Sequence, residues 1–211
     1  VLNDFTIVDL ETTGLDPVAG RITEIAARRY KNGKLSAALA VLVWAGVEPE
    51  PQAVALNGLT AELLQQQGVG EYEALEALRQ VLGSSVLVAH NAAFEVSWLH
   101  QAIMRMHRAA GPAGFYNNFL CTKTLAVELR AGSGISYSLK QLTHDYNIEW
   151  TGAAHRAMPD VVATNHLLKI LLDLELGLLA AGELLNCCGV AAGKNYPLPA
   201  GLPAHVKEVK Q

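Results

Sequence analysis

The stretch FTIVDLETTGLDPVAGRITEIAARRYKNGKLSAALAVL, residues 5–42, decides the architecture of this chain. FTIVDL is a short, β-rich apolar run ending at acidic residues, and it reads as a buried strand with Asp9 and Glu11 at its C-terminal end. TTGLDPVAG then turns the chain, carrying Gly14, Pro17 and Gly20. ITEIAARRY and KLSAALAVLVW lie on either side of Asn32-Gly33, and an N-G dipeptide between two β-compatible runs is a strong hairpin signal. Three antiparallel strands at the start are therefore expected.

Working outward, a Pro-containing connection, EPEPQ, leads into helical stretches at roughly residues 60–67 and 71–82, with Thr60 as N-cap of the first. SSVLVAH is another short buried strand, ending at His90. From Ala92 to about Arg108 the spacing is helical, with Phe94, Trp98, Leu99 and Ile103 along one side. GPAG breaks the chain, FYNNFLC resumes as a strand and TKTLAVELR is a short helix. Ser138 to His144 should be helical, and a long helix should run from about Pro159 to Leu174, proline being well suited to a first helical turn. Strands first, then alternating helices and strands, predict an α/β fold: a mixed sheet with helices on both faces. The expected division is a domain over 1–178 and an irregular C-terminal extension over 179–211.

Apolar residues make up 51% of the 211 and charged residues 17%, which is the balance of a globular core. No uninterrupted apolar run approaches the ~18 residues of a membrane span. The opening VLNDFTIVDL does not read as a secretory leader. Cys121, Cys187 and Cys188 form neither a disulfide framework nor a C-x-x-C zinc pair, so reduced thiols and a cytoplasmic setting are expected. A formal net charge of −4 argues against a large duplex-gripping surface, though not against an enzyme that holds a few nucleotides.

Five residues carry the chemistry: Asp9 and Glu11 in DLETTG, Glu95 in HNAAFE, and His155 with Asp160 in HRAMPD. Hard cations such as Mg²⁺ and Mn²⁺ prefer oxygen ligands. Residues two apart on a strand point the same way, so one face can present both Asp9 and Glu11 to a shared pair of ions. A D-x-E pair alone is more often two solvated acids at a strand end. Asp160 stands across an expected loop-to-helix boundary from His155, a spacing that lets a helix acid and a loop histidine face one cavity. A histidine there can take a proton from water acidified by metal. By itself that pair also reads as a surface histidine beside a capping acid.

In this order and spacing the chain resembles the DEDDh exonucleases, the DnaQ-like superfamily that includes the proofreading subunit of bacterial DNA polymerase III. DLETTG matches the first motif, HNAAF followed by an acid the second, and H-x-x-x-x-D the third; ALNGLT and SYSLKQL are further matches, and the likeness covers roughly residues 3–174. The resemblance implies a ribonuclease-H-like mixed central sheet with flanking helices. It implies two divalent cations, Mg²⁺ or Mn²⁺, held by Asp9, Glu11, Glu95 and Asp160, with His155 as general base. Thr12, Thr13 and Gly14 would meet the terminal nucleotide, with Leu15 as a wedge between the last bases. Leu56, Asn57 and Phe94 would flank that nucleotide and Asn91 would meet phosphate. The implied activity is 3′→5′ removal of nucleoside 5′-monophosphates from single-stranded ends, with DNA favoured.

Two positions depart from the family pattern. Glu95 stands where the family has Asp, moving the carboxylate out by one methylene, and Asn57 stands where proofreading relatives often have His. Two other readings therefore stand beside the first. One is an exoribonuclease acting on RNA 3′ ends, like oligoribonuclease or RNase T. The other is a catalytically impaired module that binds nucleic acid or a DNA polymerase, the polymerase being a partner that the resemblance also raises.

Overall fold

The computed structural model describes residues 2–110, 118–129, 136–150, 152 and 155–175. The expected extension over 179–211, with Cys187 and Cys188, lies outside the described residues, as does the GPAG break at 111–114.

The opening strands form as the sequence predicts. β1 (Asp4–Thr12), β2 (Ile22–Lys31) and β3 (Lys34–Leu42) make an antiparallel meander. Asn32 and Gly33 take φ of 49° and 76°, and positive φ at both central residues is what a type I′ hairpin turn requires. β4 (Val86–Ala89) pairs parallel with β1, and β5 (Phe119–Cys121) pairs parallel with β4, giving the order β3-β2-β1-β4-β5. The sheet is thus mixed, with β1 central and its C-terminal end facing the same way as those of β4 and β5.

Strand alternation divides the core into two layers. Val8, Leu10, Ile25 and Ala27 face a layer completed by Leu75, Leu78, Val96, Trp98 and Leu99, from α3 (Glu71–Leu82) and α4 (Ala92–Ala110). Phe5, Ile7 and Ala26 face the other layer. That layer is built with α5 (Thr122–Leu129), α6 (Leu139–Asp145) and α7 (Ala157–Glu175), through Leu125, Leu142, Val161, Leu168 and Leu171. Each fully buried aliphatic side chain contributes about 1.5–3 kcal/mol, so the two layers together hold the sheet from both sides.

Local signals placed most helix ends correctly. Thr60 Oγ1 accepts from Leu63 N at 3.2 Å and starts α2 (Ala61–Gln67). Ser138 Oγ accepts from Gln141 N at 3.2 Å and starts α6. Two expectations change. The segment after Glu50 is not a plain connection but a short helix, α1 (Pro51–Asn57), with Pro51 in the first turn and Gly58 closing it at φ 74°. The last helix begins at Ala157, two residues before Pro159, because a side chain from β2 caps it there. Among the described residues no helix is long and apolar enough to cross a membrane.

Candidate active site

The odd-numbered residues of β1 decide where the acids go. Phe5 and Ile7 are buried on the α7 face, so Asp9 and Glu11, next on the same side, emerge on that face where the strand ends. Thr12 ends the strand at a register irregularity, and its Oγ1 donates to Gly14 O at 2.7 Å. Asp160 lies in the first turn of α7, which packs on β1 and β2. Glu95 lies in the first turn of α4 and is buried.

These four carboxylates share one electrostatic environment. Burial pushes the Asp9 carboxyl well above its usual range, and Glu95, Asp160, Glu11 and Glu24 push it further. Burial likewise raises Glu95, with Glu11 and Asp160 adding to it. Glu11 is pushed up to about 7, by burial first, with Asp160 and Glu24 reinforcing and the Asn57 amide opposing. Asp160 is also pushed up to about 7, again by burial first, while a hydrogen bond from the His155 backbone opposes. Acids raised chiefly by burial, and further by neighbouring acids, form a site that added positive charge would stabilise.

His155 is exposed, its backbone bonds the Asp160 carboxylate, and its φ of 62° is left-handed, uncommon for a residue other than glycine. His90, by contrast, is a structural histidine. Its ring nitrogens bond Thr122 Oγ1 at 2.9 Å and Tyr137 O at 3.0 Å, and burial lowers its pKa to about 4.

Beside Glu11 opens a cavity of about 260 Å³. It brings together Thr12, Gly14, Leu15, Leu56, Asn57 and Phe94, six of the residues expected to meet the nucleotide. Leu15 and Leu56 are exposed at 69% and 56%, and so offer apolar surface to an incoming group. Thr13 and Asn91 are not among its walls. Thr13 is buried and committed to the turn: its N–H donates to Arg21 O at 2.8 Å, and its O accepts from Glu50 N at 2.7 Å. Asn91 opens α4 at φ 76°, its carbonyl accepting from Phe94 N at 2.8 Å.

The RNase_T family profile, described as an exonuclease, matches residues 6–168. The chain belongs to this exonuclease family. It is similar to the DNA polymerase III subunit epsilon of Aquifex aeolicus, 29% identical over 171 residues, covering 81% of this chain and 81% of the relative. It is also similar to the PolC-type DNA polymerase III of Halalkalibacterium halodurans, 29% identical over 166 residues. That match covers 79% of this chain but only 11% of the polymerase, so the chain spans about a ninth of this relative's length. Among solved structures, E. coli exonuclease I in complex with a dT13 oligonucleotide superposes with a TM-score of 0.70 at 22% identity, covering 83% of this chain and 42% of that one. That likeness establishes the exonuclease fold of the sheet and its helices.

The donor set of this exonuclease fits a hard divalent cation: all carboxylate, with Glu95 Oε2 and Asp160 Oδ1 buried and without a hydrogen-bond partner. Among the described residues no three His, Cys, Asp or Glu side chains already converge as a ligand set, so a cation would have to draw them together.

Sequence reasoning missed several contributors. Glu50, Gln52 and Ala53 line the cavity from α1 and the residue before it. Glu24, on β2, joins the acidic group and grips Arg156 at the start of α7. Asn57, expected only as a base contact, donates through Nδ2 to Glu11 Oε2 at 2.9 Å, while its Oδ1 accepts from Leu59 N at 2.9 Å.

Proposed function

We propose that this chain is a 3′→5′ exonuclease that removes nucleoside 5′-monophosphates from single-stranded ends, with DNA favoured. The observation that carries the proposal is that burial and neighbouring acids raise all of Asp9, Glu11, Glu95 and Asp160, and that a cavity walled by Leu15, Leu56 and Phe94 opens beside Glu11. Relatives in a replicative polymerase and a likeness to an exonuclease holding a DNA oligonucleotide support DNA ends as substrate and a DNA polymerase as partner. A cytoplasmic setting belongs to the same proposal and rests on the cysteine pattern.

Asp9, Glu11, Glu95 and Asp160 would hold two divalent cations, Mg²⁺ or Mn²⁺. Ions held there would supply a lowered pKa for water and charge stabilisation for the departing oxygen. The chain's own residues do the rest. His155 accepts the proton of the attacking water at its imidazole. Asn57 fixes the Glu11 carboxylate through its 2.9 Å bond, so that acid keeps one orientation. Leu15, Leu56 and Phe94 flank the terminal nucleoside and hold its phosphate in line with the attacking water. The P–O3′ bond breaks as water's oxygen bonds phosphorus, the departing 3′-oxygen takes a proton from solvent, and His155 later returns its own to solvent; the products are one nucleoside 5′-monophosphate and a chain with a new 3′-hydroxyl.

The test is degradation of a 5′-labelled single-stranded DNA oligomer with Mg²⁺ or Mn²⁺. The expected result is a ladder shortening from the 3′ end, absent in EDTA and slowed about 10²–10⁴-fold in His155→Ala. A ladder on a matched RNA oligomer and none on DNA would reassign the substrate. No ladder on either would overturn the enzymatic reading and leave a binding module, the outcome that Glu95 in place of Asp makes specific.

A further inference from the structure

Glu24 is an acid beside the carboxylate group that has no free oxygen of its own. It is 5% exposed, and its Cα pairs with that of Glu11 across β1 and β2. Its Oε1 accepts from Arg156 Nη2 at 2.9 Å, and its Oε2 accepts from Arg156 Nε at 3.0 Å and from Ala157 N at 3.1 Å. A cation ligand would have to give up this fork and the helix cap together. Glu24 therefore binds protein rather than metal.

What it binds adjoins His155. Arg156 is the next residue, and Ala157 begins α7. Asp160 has a second hold: besides its N–H bond to Arg156 O at 3.3 Å, it rides on a 19-residue helix anchored by buried Val161, Leu167, Leu168 and Leu171. His155 lacks that helix anchor: it precedes the helix, is exposed, is tied to it through a backbone hydrogen bond to the Asp160 carboxylate, and holds a φ of 62°, uncommon for a residue other than glycine.

We propose that Glu24 is a positioning residue for His155, acting through its two-pronged hold on Arg156 and its cap on Ala157. This rests on the exonuclease reading, in which His155 is the general base. A purely structural ion pair would lower stability when broken and would cost the same in any background. A positioning residue has a different signature, because its effect disappears once the residue it positions is gone.

The experiment measures kcat and KM on the DNA oligomer for wild type, Glu24→Gln, His155→Ala and the double variant, with amide exchange and the His155 imidazole NMR signals followed in parallel. Glu24→Gln removes the charge and places an amide NH₂ against donors; because Glu24 also raises Asp9, Glu11 and Asp160, the rates are compared at saturating Mg²⁺. The expected results are a kcat lower by about 10-fold or more with KM within about twofold, and less than about twofold further loss when it is added to His155→Ala. Ala157 N–H should exchange faster and the His155 signals should move, while protection at Leu167 and Leu168 is retained. Arg156→Lys, which keeps the charge but loses the fork, should give the same pattern more weakly. Losses that multiply in the double variant, or His155 signals unchanged in Glu24→Gln, would overturn the proposal. Should wild type cut nothing, or His155→Ala cut as fast as wild type, the exonuclease reading fails. The NMR arm then still decides whether Glu24 holds His155.

Discussion

Raising the pH in the presence of a chelator should destabilise this protein. Glu11 and Asp160 ionise near 7 in the folded chain but near 4.5 and 3.8 when unfolded. Between those values the unfolded state binds fewer protons than the folded one, so stability falls as pH rises toward about 7. His90 acts oppositely: its folded pKa of about 4 lies below the ordinary 6.5, so its neutral burial adds stability as pH rises through that interval. Two acids against one histidine leave a net loss of one proton's worth, about 1.4 kcal/mol per pH unit up to about pH 6.5, and twice that slope from there to about pH 7. From about pH 5 to 7.5 the loss reaches about 3 kcal/mol. Asp9 and Glu95 shift in the same direction as Glu11 and Asp160 and steepen the fall.

For a domain of this size that corresponds to a Tm lower by on the order of 10 °C at about pH 7.5 than at about pH 5. Differential scanning fluorimetry in EDTA across that range reads it directly. Adding Mg²⁺ or Mn²⁺ at about pH 8 should restore much of the loss, about 2.7 kcal/mol at a hundredfold excess over Kd, because the ions bind the ionised acids. A Tm that is flat or climbs with pH in EDTA would show that the acids do not share a site, and the reasoning behind the metal centre would fall with it.

Three further outcomes follow from individual side chains. Glu95→Asp removes the extra methylene from an acid with an unpartnered buried oxygen, and should raise turnover by up to about 10-fold; unchanged turnover and metal affinity would show that the longer side chain is already compensated. Asn57→Ala deletes a bond that eases Glu11 ionisation and strips Leu59 N–H of its acceptor. It should cost about 1–3 kcal/mol in urea unfolding and increase the Mg²⁺ needed for half-maximal activity at pH 7. At Gly14 an added Cβ would first meet the exposed, movable Glu50 carboxylate, whereas at Gly20 it would lie 2.5 Å from Trp98 Cη2 and 2.8 Å from Asp16 O. Gly14→Ala should thus leave stability within about 0.5 kcal/mol while raising KM, and Gly20→Ala should cost about 1–3 kcal/mol; comparing Tm and KM for the two checks both.

The sheet was legible because its determinants are local. Asn32-Gly33 sets the hairpin, alternation sets the faces of β1, and Thr60 and Ser138 set two helix starts, each within a few residues of its effect. α1 was not legible, because Pro49 and Pro51 read as a connection and the helix has only seven residues in which to show a period. Its consequence for the site was hidden with it, since Asn57 reaches Glu11 across 46 residues. The Glu24–Arg156 clamp spans 132 residues, a distance at which no local pattern operates. Yet the same parity that placed Asp9 and Glu11 would have placed Glu24. Ala26 is buried on the α7 face, Glu24 stands two residues before it, and the antiparallel register sets Glu24 opposite Glu11. An acid buried against a cluster of acids must be neutralised by something, and Arg156 is a charge of the required sign. The long-range contact was therefore deducible in kind from the strand faces, while its partner's identity had to come from the fold.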